Sequence, residues 1–217
     1  TDFDTKVFSA EDVVKVDIGV HVDGYIADTA ASFYLGSDKK RIALVDTSKE
    51  ALQYAISAIK PGIKISEISK IIEETIRKNG FSPIVNLTGH YLKRYQIHAS
   101  PSIPNVFTAS KAVLSEGDVI AIEPFATDGS GEVRDTAGRA MIFSFIRDVS
   151  PRSESTRKIQ IFAKKLNGLP FSSRSINEPK GMLREKGLAE LVSLGGLHAY
   201  PPLKEVAGGC ISQAEHT

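Results

Sequence analysis

Two aspartates open the chemical reading of this sequence. Asp17 and Asp28 stand on either side of Asp23-Gly24, a dipeptide suited to a type I′ turn because both central positions need positive φ. If that pair forms a two-residue loop, residues facing each other across the hairpin have indices summing to 47. Asp28 then faces Gly19, and Asp17 lies two residues along on the same face. The two carboxylates become diagonal neighbours, roughly 7–8 Å apart at Cα. Two carboxylates on one buried face repel unless a cation lies between them. One or two divalent metal ions would resolve the conflict; a wet, exposed sheet face would leave nothing to resolve. Further candidates are Glu123, ending the apolar run Val119–Ile122, Glu215 beside His216, and His90 and His98 eight residues apart. Oxygen ligands with one or two imidazoles suit Mn, Co, Fe or Zn. Solvated strand-end glutamates and ordinary surface or core histidines remain the alternative. His21, at the hairpin tip, and His198 are read as structural.

The elements that must position these groups follow from pattern. Residues 13–20 and 25–33 read as the hairpin strands. A helix is expected within 38–59, stopped by Pro61-Gly62. A second is expected after Ser66 as N-cap, with Ile68, Ile71, Ile72, Thr75 and Ile76 on one stripe and Asn79-Gly80 at its end. Residues 81–112, with Pro83, Pro101 and Pro104, read as irregular. Val119–Glu123 and Met141–Ile146 read as strands, the latter after the Gly129–Gly131 stretch, and Glu215 sits in another. From about Pro151 to Glu205 the pattern is helical: Ile159, Phe162, Ala163 and Leu166 recur at i, i+3, i+4, i+7, with Gly168 as a cap. A short helical pair is expected through Met182, Leu183, Leu188, Leu191 and Val192. The domain reading is 1–150 with 206–217 as one body, and 151–205 as an inserted helical subdomain.

Composition narrows the class. The chain has 217 residues, with 27 basic and 26 acidic side chains and a net charge of +1. That balance speaks against a disordered tail and against bulk electrostatic binding to nucleic acid or an anionic membrane. Residues 183–206 mix both charge signs and form no basic stripe for a winged-helix DNA reader. A single cysteine, Cys210, excludes an internal disulfide framework and a cysteine-rich zinc site. No apolar run approaches the roughly 18 residues of a membrane span, and no signal peptide is read. A soluble protein of a reducing compartment is expected. The start at Thr1 and the stop at Thr217 suggest a fragment.

The ordered series Val16-Asp17-Ile18-Gly19, Gly24-Tyr25-Ile26-Ala27-Asp28-Thr29-Ala30, Gly89-His90, Ile97-His98, Ile122-Glu123-Pro124-Phe125-Ala126-Thr127 and Glu215-His216-Thr217 resembles the methionine aminopeptidases, and most nearly their type II, archaeal-like branch. The resemblance implies an α/β (α+β) pita-bread fold: antiparallel sheet covered by helices, with the type II helical insert. The N-terminal part, with an upstream catalytic histidine, and the strand after Glu215 are expected to be missing. It implies two divalent metal ions held by Asp17, Asp28, His90, Glu123 and Glu215, with Asp28 and Glu215 bridging. His98 would contact the scissile amide, Glu123 would double as proton acceptor, and Ile97, Phe125 and Tyr200 would line the methionine pocket. The implied activity is removal of the initiator methionine before a small second residue, from nascent chains at the ribosome, by a cytoplasmic monomer that binds neither nucleic acid nor membrane. Pita-bread peptidases that cleave before proline (prolidase or aminopeptidase P) share the five ligands and form the alternative enzyme reading. Relatives that have become ribosome- or RNA-associated binding proteins form the non-enzymatic one. One departure is Ala99-Ser100-Pro101, where relatives carry a glycine after the alanine.

Overall fold

The computed structural model describes residues 7–217. They divide into a larger unit, Val7–Arg134 with Lys204–Thr217, and a smaller one that runs from Asp135 to Leu203. The larger unit opens with β1 (Val13–Val22) and β2 (Tyr25–Tyr34). Asp23 and Gly24 between them have φ of 51° and 84°, the left-handed pair that a type I′ turn requires. The register follows from the turn: Gly19 faces Asp28 and Asp17 faces Ala30. Side chains alternate accordingly. Lys15, Asp17 and Asp28 share one face, while Val16, Ile18, Val20 and Val22 lie on the other and are exposed.

Helix α1 (Lys39–Ala58) starts where the Asp38 carboxylate accepts from the N–H groups of Lys40 and Arg41. Helix α2 (Ile65–Lys78) begins one residue before the expected cap. Ser66 lies inside the first turn, because Ile65 is fully buried (0% exposed) and the helix reaches back to include it. Ile65, Ile68, Ile72 and Ile76 form its inward stripe. Burying each stabilises by about 1.5–3 kcal/mol, against at most about 0.7 kcal/mol lost to the weaker helix preference of a β-branched residue. Packing therefore decides the helix. Gly80 turns the chain out, and Phe81 N–H reaches back to the Ile76 carbonyl.

The stretch expected to be irregular is mostly sheet. It contains β3 (Ser82–Pro83), β4 (Thr88–Lys93) and β5 (Gln96–Pro104). Register shifts on either side of Tyr91, together with the prolines of β5, conceal the two-residue period. The apolar run at 119–123 contributes only β6 (Ile120–Ala121), and Ile122 makes a single bridge to His216. After β7 (Phe125–Thr127) the chain leaves this unit at β8 (Val133–Asp135).

The smaller unit is an α/β layer and not purely helical. It holds β9 (Ile142–Phe145), α3 (Glu154–Lys164), β10 (Phe171–Ser172), α4 (Gly181–Ser193) and β11 (Leu197–Tyr200), with strand order β10-β9-β11. It starts at Asp135, ahead of the expected Pro151, because among the described residues β9 pairs with β10 and β11. The helices need an apolar floor, and Phe143 supplies it within a core of Ile159, Ala163, Phe171, Ile176, Leu188, Leu191 and Leu197. Instead of a helical pair, one helix covers 181–193, and its Met182 and Leu183 face solvent. Helix α3 is capped by Ser153 and ends before the Asn167-Gly168 turn, not at Gly168 itself.

The chain re-enters the larger unit at β12 (Leu203–Glu205) and closes with β13 (Ile211–Glu215). The main sheet has the order β1-β2-β13-β7-β3, and a second has the order β5-β4-β6. The late strand β13 thus lies between β2 and β7. The principal core packs α1 and α2 residues, among them Leu44, Ala51, Ala55 and the four isoleucines, with Ile103, Ile122 and Ala214. The fold is antiparallel sheet covered by helices.

Candidate metal centre

Each candidate ligand arrives on a different piece of sheet. The hairpin register sets Asp17 and Asp28 on one face, diagonally related. His90 comes from β4, Glu123 from the link between β6 and β7, and Glu215 from β13, where it faces Ala30. One ligand atom each of Asp28, His90 and Glu215 lies within 4.8 Å of the other two, and all three residues are buried. His90 Nε2 is 4.0 Å from Asp28 Oδ2 and 3.5 Å from Glu123 Oε1. Asp17 is more exposed and pairs with Lys15 Nζ at 3.0 Å.

The electrostatics describe a centre short of positive charge. Burial first, then Glu215, Asp28 and Asp17 as like charges, push Glu123 up to about 9. Burial, followed by Asp28 and Asp17, pushes Glu215 to about 8. Asp28 is raised by burial and then by Asp17. Burial alone does not produce this. Glu205, only 2% exposed, is held down to about 2 by the Ser130 hydroxyl and by backbone N–H groups including those of Ser130 and Gly209. The difference is donors: Glu205 has a full set, and the acids of the centre have mostly one another.

His90 fits the same picture. Burial lowers its pKa, so the ring is neutral. Nδ1 faces the Tyr91 carbonyl at 3.4 Å, and a carbonyl can only accept, which puts the proton there. The Nε2 lone pair is then aimed at the carboxylates, an arrangement that a cation satisfies. Four carboxylates and one imidazole lone pair make a hard, anionic donor set that fits divalent metal ions. The arrangement depends on Gly89. A Cβ there would sit 2.4 Å from the backbone oxygen of Ala121 on the neighbouring β6, which cannot swing aside. Gly89→Ala is expected to destabilise by about 1–3 kcal/mol in urea unfolding, and to broaden the His90 ring resonances as β4 shifts; an unchanged unfolding midpoint would refute the close-approach argument.

The other expected site residues are placed as follows. His98 lies on β5 with its ring edge-on to His90, centroids 4.7 Å apart, and it is exposed. Ile97 is half-buried beside Gly19, where a Cβ would lie 4.0 Å from Ile97 Cδ1 and 3.6 Å from Asp28 Oδ1. Phe125 is buried in a small cluster with Ile84 and Val133, and Lys15 Nζ lies 5.6 Å from its ring centre. Tyr200 belongs to the smaller unit, on β11, stacked edge-on against His198. His21 is part of the hairpin turn: its Nδ1 accepts from Gly24 N–H. The expectations passed over two contributors, Lys15 and Gln213. Gln213 Nε2 donates to Glu123 Oε2 at 3.2 Å and Glu215 Oε2 at 3.0 Å, and its Oε1 accepts from Lys15 Nζ at 2.5 Å. The available signal was the two-residue strand period, since each lies two positions before a candidate ligand, Asp17 or Glu215.

Helix-covered antiparallel sheet around a buried carboxylate–histidine cluster is an arrangement that fits a divalent-metal site. The model of metallopeptidase family M24 matches residues 2–148, and the chain belongs to that family. Within it, the chain is similar to proteins named methionine aminopeptidase. It is 50% identical over 99% of its length to the enzyme so named in Thermococcus onnurineus, and 43% identical over 99% to that of Archaeoglobus fulgidus, covering 72% and 71% of those proteins. Among solved structures, a methionine aminopeptidase from Thermotoga maritima is 36% identical with a TM-score of 0.58 over 61% of this chain and 53% of that one. A structure described as a thermophilic Arx1 has a TM-score of 0.75 at 18% identity, over 93% of this chain and 62% of that one; it shows the shared fold alone. Among the described residues no helix is long and apolar enough to cross a membrane.

Proposed function

We propose that this chain is the catalytic part of an enzyme that hydrolyses the N-terminal methionine from nascent polypeptides whose second residue is small. The observation that carries the reading is the convergence of Asp28, His90 and Glu215 within 4.8 Å, in a chain of this family. Asp17, Asp28, His90, Glu123 and Glu215 would hold two divalent ions, with Mn, Co, Fe and Zn all compatible with the donors. Bound there, the ions supply Lewis acidity that polarises the scissile carbonyl and allows hydrolysis near neutral pH.

The chain's own groups do the rest. Glu123, buried and rich in like-charged neighbours, is the acid–base group that takes a proton at its Oε1 and passes it to the leaving amine. His98, beside His90, donates to the amide as charge develops on it. Ile97 and Phe125 contribute apolar surface for the methionine side chain. Such a pocket discriminates by only about 1–3 kcal/mol per methylene, so the limit on the second residue is steric. We place this activity in the cytoplasm, on chains emerging from the ribosome, in a monomer. With Mn or Co added, the protein is expected to release methionine from Met-Ala-Ser and to leave Gly-Pro intact, read by amino-acid analysis. Cleavage of Gly-Pro but not Met-Ala-Ser would assign it to the proline-directed peptidases instead. Cleavage of neither by a folded, metal-loaded protein would favour a binding role.

A further inference from the structure

We propose that Lys15 and Gln213 form a positioning pair that presets the carboxylates of the metal centre, Lys15 acting by fixing which way the Gln213 amide faces. The inference rests on the metal reading above. Gln213 is buried on β13, and the two ends of its amide meet opposite company. Oε1 accepts from the Lys15 ammonium at 2.5 Å, while Nε2 donates to Glu123 at 3.2 Å and Glu215 at 3.0 Å. An ammonium only donates, so the end of the amide that meets Lys15 must be its oxygen. A reversed amide would set donor against donor at Lys15, so the ammonium permits a single orientation and leaves Nε2 facing the two glutamates.

The backbone of Gln213 is also pinned, its N–H donating to Ser32 Oγ at 2.9 Å and its carbonyl accepting from that hydroxyl at 2.8 Å. The ammonium itself is held by Asp17 at 3.0 Å and by the Phe125 face. One ammonium and one amide therefore touch Asp17, Glu123 and Glu215, three of the five candidate ligands, which come from separate parts of the sheets. None of these contacts requires a metal, so they can hold the carboxylates ready before one arrives.

Charge and positioning make opposite demands on the test. If Lys15 acted only as a nearby positive charge, removing it would relieve repulsion and tighten metal binding. If it orients Gln213, removing it frees the amide to turn over, and binding weakens. The experiment is calorimetric titration of Mn²⁺ into metal-stripped wild-type protein and the Lys15→Met and Lys15→Arg variants, with circular dichroism of each metal-free protein as the fold check. We expect Lys15→Met to bind Mn²⁺ about tenfold more weakly, the usual order for losing a partner of a metal ligand. Lys15→Arg, likewise donor-only, should recover most of the loss. Equal or tighter binding by Lys15→Met, or a Lys15→Arg variant as weak as Lys15→Met, overturns the proposal. Absence of Mn²⁺ binding by the wild-type protein would instead overturn the metal reading beneath it.

Discussion

Glu123→Gln is expected to lower turnover of Met-Ala-Ser by about 10²–10⁴-fold and, in the same protein without metal, to raise the melting temperature at pH 7.5. The two effects share one cause. Glu123 is pushed up to about 9 by burial and by Glu215, Asp28 and Asp17. A carboxyl in that position is kept protonated at a free-energy cost of about 1.4 kcal/mol for each pH unit above its ordinary value. Glutamine has nearly the same shape and no such cost. Its oxygen can still accept from Gln213 Nε2, and its NH₂ can face His90 Nε2, so both neighbours keep a partner. What it cannot do is bind a cation as an anion or carry a proton between water and the leaving amine. Loss of turnover with a gain in metal-free stability is the trade expected of a strained functional residue. A lower melting temperature would mean that Glu123 matters for packing, and unchanged turnover would remove it from the chemistry.

The second large effect is a reversed pH dependence. Glu123 and Glu215 have folded pKa values of about 9 and about 8, above the ordinary 4.5. Between 4.5 and those values the folded chain holds protons that the unfolded chain has released, so stability falls as pH rises. The slope reaches at most about 1.4 kcal/mol per pH unit for each group. From pH 5 to 8 that amounts to several kcal/mol, a large part of the roughly 5–15 kcal/mol that holds a domain together. The metal-free protein should therefore be most stable near pH 5 and melt progressively earlier toward pH 8.5. Added Mn²⁺ should restore stability at high pH and release protons, which calorimetry in buffers of different ionisation enthalpy would count. Glu205 works in another window: its depressed pKa gives stability that is present above 4.5 and lost only as pH falls toward 2. A flat profile from pH 5 to 8.5, or metal uptake without proton release, would count against the charge balance described for the centre.

How much of this could be read beforehand depended on which contacts are local. The hairpin was legible because a two-residue turn fixes register, and register decides that Asp17 and Asp28 share a face. Helix α2 was legible through its isoleucine stripe, but its first residue was not, since the burial of Ile65 outweighed a plausible serine cap. The strands β4 and β5 were hidden by bulges and prolines, and β10 and β11 by being two and four residues long. The five candidate ligand residues stood out as candidates by residue type, and the resemblance joined them into one set. Lys15 and Gln213 did not, because an amide and an ammonium acquire meaning only from what they touch, and those partners lie up to 198 positions away.

The place of β13 in the main sheet bears on how the protein is made. A chain growing from its N-terminus presents β2 and β7 well before the strand that belongs between them. Until β13 arrives, those two strands have unpaired inner edges, and Asp28 lacks both Glu215 and the Thr217 hydroxyl that its backbone N–H bonds from 189 positions away. Closing so long a loop is a slow, late event in folding. Any product that terminates ahead of residue 211 lacks Glu215 and the strand between β2 and β7, and so has an open seam where the centre should be. Capture of metal thus becomes a report that synthesis has run through β13, and an interrupted chain is left with an exposed edge of the kind that aggregates.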